Sequence, residues 1–240
     1  MKKSLFGLFH HEEDRKWYVN VLISVFALIG VLVLPSIFAL IIKDIIKNKY
    51  VCSLIGSLIF GLILVFLYRR DLKKELNIYI KGFGKIFKLS LKYYFVGILL
   101  TITFSVLLAG VLKGSSQNET LVRELLYSHT LYMFINIVFI APVIEELVYR
   151  KSVSTWIKNK WVFAIVSGIL FGSAHIATNV FSGTFILTDL LYILPYGSYG
   201  FAFALMDHDS KTTFSSIVIN IIHNLLTGLM IMNIHYIGVF

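Results

Sequence analysis

Residues 131–155 read LYMFINIVFIAPVIEELVYRKSVST, an apolar run of membrane-spanning length that contains two glutamates and an arginine. About 20 mostly apolar residues in a helix cross the hydrocarbon core of a bilayer. A charged side chain at that depth is costly, so it normally has a partner and a function. The run therefore predicts a membrane helix in which Glu145, Glu146 and Arg150 belong to a functional site.

The whole chain has the composition of a membrane protein. Of its 240 residues 58% are hydrophobic and 15% are charged, whereas soluble domains carry about 25% charged residues. The single cysteine, Cys52, excludes a disulfide framework and a cysteine-based zinc site. The net charge of +9 is spread between the apolar runs, which indicates basic loops beside a membrane and no nucleic acid partner.

The apolar runs predict an all-α, polytopic transmembrane bundle of seven spans. The sixth run contains Pro195, Gly197 and Gly200, which predict a kink or a break and leave a count of eight open. Between the second and third runs, Asp71–Lys88 mixes apolar residues with lysines, as a cytoplasmic amphipathic segment does. The predicted spans are Tyr18–Ile42, Val51–Tyr68, Leu89–Leu112, Leu131–Thr155, Trp161–Asn179, Phe185–Asp207 and Phe214–Ile237.

The basic residues predict the orientation. The connections on the side of the N-terminus, with Lys2 and Lys3, hold 16 lysines and arginines, and the opposite set holds 5, Lys113 among them. The more basic side is normally cytoplasmic. We therefore expect a multi-pass protein of a bacterial plasma membrane with a cytoplasmic N-terminus. Residues 1–130 would hold that N-terminal segment, three spans and the amphipathic loop, and residues 131–240 the catalytic core.

Two later spans carry histidines at a depth that matches the glutamates. If the fourth and fifth spans form a hairpin, Glu145 and His175 each lie 15 residues from Lys160, about 22 Å along a helix. His223 lies ten residues after Thr213, about 15 Å from the same side of the membrane. The three side chains can therefore share one layer of the bundle.

This spacing suggests a division of roles. Glu146 and Arg150 are four residues apart and can pair on one helical face, which leaves Glu145 as a free carboxylate that can act as a general base. His175 could share the proton transfer or hold the attacking water. His223, with Thr227 one turn later, could stabilise an oxyanion. The alternative is an ion-pair network that only locks helix packing. Polar residues near predicted span ends are left out of the site: Asp189, Asp207, His208 and His235.

Glu-Glu-x-x-x-Arg, Phe-x-x-x-His and a final His, each in its own apolar run, resemble the motifs of the CPBP intramembrane proteases. That family includes the CAAX prenyl endopeptidases and the bacterial Abi or bacteriocin-immunity-type proteins. The resemblance implies Glu145 as the catalytic base, Glu146 and Arg150 as its support, His175 as a second catalytic residue and His223 as an oxyanion stabiliser. The family usually has Asn where this chain has Thr227.

The resemblance implies an endopeptidase that hydrolyses a membrane-associated peptide or lipid-anchored protein among membrane lipids. A non-proteolytic bacteriocin self-immunity or regulatory protein that binds through the same cavity is the alternative. A proton-coupled transporter is a third reading, but the chain shows no internal repeat. A metal-free mechanism is favoured, because the chain lacks His-Glu-x-x-His. If zinc is present, Glu145, His175 and His223 are the expected ligands.

Overall fold

The computed structural model of the protein describes residues 11–112 and 116–237, without the side chains of Thr178 and residues 234–237. The described chain is helical and contains no β-strand, as the sequence predicts. Lys2, Lys3, Lys113 and the side chain of His235 lie outside the described residues. The helices are α1 (Trp17–Ile42), α2 (Lys49–Lys81), α3 (Phe83–Leu108), α4 (Gln117–Ser128), α5 (Thr130–Ser154), α6 (Lys160–Phe181), α7 (Ile193–Ser210) and α8 (Phe214–Ile237).

Six of the described helices, α1, α2, α3, α5, α6 and α8, are long and apolar enough to cross a membrane. The protein is therefore a multi-pass membrane protein. The sixth predicted span, Phe185–Asp207, is shorter than expected, because Leu187–Tyr192 forms a 3-10 helix and α7 begins only at Ile193. Pro195 lies in the first turn of α7, where a missing backbone N–H breaks no helical hydrogen bond. The break thus precedes the proline, and α7 packs between α3 and α6.

The stretch predicted as an amphipathic loop, Asp71–Lys88, is helical throughout except at Gly82. Helix α2 continues through its first half to Lys81, and α3 begins at Phe83. With 33 residues, α2 is about 50 Å long, which exceeds the roughly 30 Å of a hydrocarbon core. Its last turns therefore extend past the apolar part of the bundle and carry the charged residues of this stretch.

Those last turns of α2 bind the residues before α1 and the end of α5. Asp71 lies 3.6 Å from Arg15, and both side chains are buried. Lys151 of α5 is 2% exposed and pairs with Glu12 at 2.6 Å and with Glu75 at 2.5 Å. A buried cation of this kind needs such partners. We call these residues, together with the end of α7 and the start of α8, the polar end of the bundle. Ion pairs thus hold the polar end together.

Helices α6 and α7 pack in close backbone contact at two glycines. A Cβ atom on Gly197 would lie 2.8 Å from the carbonyl oxygen of Gly168, so neither position has room for a side chain. Small residues at a membrane helix interface allow this approach. The contact fixes α7 against α6 and brings Tyr196 and Tyr199 of α7 next to the two histidines described below.

Candidate active site

The glutamates lie in a short α-helical segment of α5, Ala141–Glu146, between two π-helical segments, Asn136–Ile140 and Leu147–Lys151. In the first π-helical segment the N–H of Ala141 donates to Asn136. The next donor in this register would be the nitrogen of Pro142, which carries no hydrogen. The carbonyl oxygen of Ile137 therefore has no backbone donor at residue 142. It instead accepts a hydrogen bond from the side-chain amide of Asn224 at 2.9 Å. Single π-helical turns in α-helices are frequent at functional sites.

Glu146 and Arg150 form the ion pair that their spacing predicts. Oε2 of Glu146 lies 3.0 Å from Nε of Arg150, and both side chains are fully buried. The guanidinium group lies over the ring of Phe171, 4.4 Å from its centroid, and 5.4 Å from that of Phe203. The aromatic faces favour the cation. Phe171, the first residue of the Phe-x-x-x-His motif, therefore stabilises Arg150.

Asn220 of α8 joins the two glutamates. Its Nδ2 donates to Glu146 at 2.8 Å and to Glu145 at 3.0 Å. Asn220 is 3% exposed, whereas Glu145 is only half-buried. The sequence analysis did not include Asn220 in the site. Its signal was its position three residues before His223, which puts both on one face of α8.

The two histidines have different hydrogen-bond partners. Nδ1 of His175 lies 2.9 Å from the carbonyl oxygen of Phe171, which can only accept, so this nitrogen carries the hydrogen and Nε2 is free to accept. The ring of His175 stacks on Tyr196, with centroids 4.5 Å apart. Nδ1 of His223 lies 3.1 Å from the hydroxyl of Tyr94, and its ring packs 4.6 Å from Tyr199. Local sequence spacing does not predict these three tyrosines as neighbours of the histidines.

The antiparallel register of α5 and α6 is the one that puts Glu145 level with His175. Tyr149 packs against Phe171 at 5.6 Å, and its carbonyl accepts from Ser167 at 2.8 Å. Tyr149 and Phe171 each lie one turn from Glu145 and His175, and Ser167 lies two turns from His175. On α8, Asn220 touches Glu145, and His223 follows one turn later. In the described chain neither histidine hydrogen-bonds directly to Glu145, and the shared layer stays a prediction.

Two residues have surroundings that differ from the sequence-based expectation. Thr227, predicted to assist His223, is exposed on α8 and makes no hydrogen bond to another site residue of the described chain. Asp207, expected near headgroups and water, is only 8% exposed. The reason is that α7 runs on to Ser210 and its last turns pack against the start of α8.

The expected zinc ligands do not form a ready metal site. Within residues 11–112 and 116–237, no three His, Cys, Asp or Glu side chains are grouped closely enough to hold one ion. Glu145, His175 and His223 are held by the other partners described above. The donor arrangement therefore does not fit three-ligand zinc coordination, and no step below involves a metal.

Part of the chain, including the candidate site, is similar to a known protein family. Residues 127–226 match the family described as Type II CAAX prenyl endopeptidase Rce1-like. A protein of Mycoplasma capricolum subsp. capricolum, described as uncharacterized, is 36% identical over 89 residues, which are 37% of this chain and 24% of that protein. The chain thus matches about a quarter of that relative's length. No solved structure matches the chain. Residues 127–226, which hold both glutamates and both histidines, are therefore similar to the family of CAAX-type endopeptidases.

Proposed function

We propose that the protein is an intramembrane endopeptidase in which Glu145 activates water to hydrolyse a peptide bond. The observation that carries the proposal is the shared amide of Asn220, which holds two adjacent carboxylates at 2.8 and 3.0 Å. Arg150 neutralises Glu146 and leaves Glu145 as a half-buried acid that forms no ion pair within the described residues. An ionised carboxylate within reach of water can take its proton as the oxygen attacks a carbonyl.

The histidines supply a matched acceptor and donor. His175 has its hydrogen on Nδ1, because that nitrogen faces a carbonyl, so its Nε2 can accept a hydrogen bond from the attacking water. The hydroxyl of Tyr94 lies 3.1 Å from Nδ1 of His223; we assign it as the donor, which puts the hydrogen of His223 on Nε2. This N–H can donate to the oxyanion that forms when water attacks. In this assignment the two rings have opposite tautomers, so one can accept a hydrogen bond and the other can donate one.

The proposed substrate class is a membrane-associated peptide or prenylated protein. The family description names a CAAX prenyl endopeptidase, and the site lies among apolar helices that cross the membrane. A peptide carried into the bilayer by a lipid chain reaches such a site directly. Glu146 and Arg150 position the base in this mechanism, and Thr227 has no assigned role.

The test is cleavage by the full chain reconstituted in liposomes. The probe is a fluorescence-quenched peptide that ends in a prenylated cysteine and three further residues, with the unprenylated peptide alongside. We expect Glu145→Gln to lower the cleavage rate by at least about 100-fold, the range of a lost general base. The glutamine keeps the shape and can still accept from Asn220. Glu119→Gln, at a partly exposed pair with Arg123, serves as the control.

The outcomes separate the mechanism from the substrate. Cleavage by Glu145→Gln at the rate of the unaltered protein would show that Glu145 is not the base. If the unaltered protein cleaves neither peptide, the proposed substrate class is wrong. Cleavage of both peptides at equal rates would show that the prenyl group is not recognised.

A further inference from the structure

Asp207, at the end of α7, lies within a dense set of hydrogen bonds from the start of α8. Its Oδ1 accepts from the hydroxyl of Ser215 at 2.9 Å and from the backbone N–H of Ser216 at 3.2 Å. Its Oδ2 accepts from the hydroxyl of Ser216 at 2.9 Å. A carboxylate at this position stabilises the first turn of a helix, and part of this arrangement is therefore a helix cap.

Helix capping does not account for the position of Ser216 relative to Glu146. Ser216 lies one turn before Asn220 on the same face of α8, and Asn220 donates to the Glu146 carboxyl group at 2.8 Å. Ser216 therefore lies between Asp207 and the ion pair of the candidate active site. From Glu146 the contacts continue through Asn220 to Glu145. Because both carboxyl groups touch the same nitrogen, their oxygens lie no more than about 6 Å apart, which one water molecule can bridge.

Asp207 also borders a cleft at the polar end of the bundle. The cleft has a volume of about 380 Å³, and its wall includes Asp207, Glu75, Lys151, Thr212 and Thr213. Its lining is largely charged or hydroxylated, so water can fill it. Asp207 thus touches a water-accessible space on one side and the hydrogen bonds that lead to the glutamates on the other.

The charges of this group favour a bound proton. Glu146 shares the amide of Asn220 with Glu145, and Ser216, which binds Asp207, lies one turn before Asn220. In the described chain Arg150 is the cation that pairs with Glu146. Carboxylates that share a desolvated site cannot all ionise at neutral pH. A chain of acids and hydroxyls that holds an excess proton is the arrangement from which proton relays in membrane proteins are built.

We propose that Asp207 and Ser216 form a proton relay that connects the glutamate pair with the polar cleft. The inference rests on the proposed hydrolytic function. In that reaction the C–O bond forms as Glu145 takes a proton from water, and the C–N bond breaks as the nitrogen receives that proton. The new carboxylic acid then gives its proton to Glu145. This proton passes through Glu146 and Ser216 to Asp207 and to water in the cleft, which leaves Glu145 ionised for the next turnover.

The two adjacent serines provide a matched test with the prenylated probe peptide. Ser216→Ala and Ser215→Ala each remove one hydroxyl hydrogen bond to Asp207, but only the first interrupts the path to Glu146. We expect Ser216→Ala to lower the cleavage rate by about 10-fold or more, with Ser215→Ala within about twofold of the unaltered protein. Asp207→Ala should be slow, and added formate, which can occupy the vacated space beside the cleft, should restore part of the rate.

A second measurement needs no substrate. Protonated carboxyl groups give an infrared band that shifts when the proton is replaced by deuterium, so exchange can be followed after liposomes are moved into D2O. We expect slower exchange in Ser216→Ala and Asp207→Asn than in Ser215→Ala. Slow exchange in these variants of a protein that cleaves neither peptide would support the relay and refute the proposed substrate. Equal exchange in all variants, or the absence of a protonated carboxyl band, would overturn the relay, as would cleavage rates that are equal in both serine variants.

Discussion

Helices α3 and α5 are almost equal in length and hydropathy but differ in their surroundings. They contain 26 and 25 residues, and their most apolar windows have mean hydropathies of 1.8 and 1.9. Within those windows 6% of residues are buried in α3 and 33% in α5. Mean hydropathy therefore identifies a membrane helix without showing whether lipid or protein surrounds it. The difference lies in a few polar residues: α5 carries Glu145, Glu146 and Arg150, which must face protein.

The largest expected effect follows from removing the cation of α5. Arg150→Met leaves the fully buried Glu146 without its partner, and breaking a buried pair costs about 3–5 kcal/mol of unfolding free energy. We expect a marked loss of thermal stability in detergent and no cleavage. Lys151→Met is the control, because its partners Glu12 and Glu75 keep some exposure. It should cost less stability and retain activity. Equal losses in both variants would contradict a special role for Arg150.

Two asparagines on α8 allow an effect on the candidate site to be distinguished from an effect on helix packing. Asn220 donates to the glutamates and Asn224 donates to the carbonyl of Ile137, so both connect α8 with α5. Asn220→Ala and Asn224→Ala should each cost about 1–3 kcal/mol of stability, measured by thermal unfolding. Only Asn220→Ala should also lower the cleavage rate, by about 100-fold. A similar rate for both variants would show that the shared amide does not position Glu145.

A smaller effect is expected on α3, which contributes one side chain to the site. Tyr94→Phe removes the hydroxyl that lies 3.1 Å from His223 and should lower the cleavage rate about 3- to 10-fold at unchanged stability. Tyr199→Phe removes a hydroxyl from the ring that packs on the same histidine, and its rate should stay within about twofold. If the two variants behave alike, Tyr94 does not set the tautomer of His223.

The smallest effect is expected at Thr227, which resembles the exposed positions of α3 more than the buried ones of α5. Its side chain is exposed, and substitutions at such positions usually change stability by less than about 0.5 kcal/mol. Thr227→Val should therefore leave the cleavage rate and the melting temperature nearly unchanged. A rate loss near that of Asn220→Ala would extend the site by one turn of α8.

The sequence was sufficient for features that depend on local spacing. Hydropathy predicted the apolar helices, and the four-residue interval predicted the ion pair of Glu146 and Arg150. Features that depend on contacts between distant helices were not predictable. The burial of Asp207 follows from how α7 meets α8, and the tyrosine beside each histidine follows from the close packing of α6 and α7. The exposure of Thr227 depends on the rotation of α8, which no local pattern reports.

The two π-helical segments of α5 determine how this helix would respond to the deletion of a single residue. Each π-helical turn holds one residue more than an α-helical turn while the helix on either side keeps its course. Removing one residue from Asn136–Ile140 would therefore restore ordinary winding and leave Glu145 facing Asn220. A deletion within Ala141–Glu146 would instead turn every later residue by about 100°. We therefore expect α5 to tolerate the loss of one residue within a π-helical segment and not within the α-helical segment between the two.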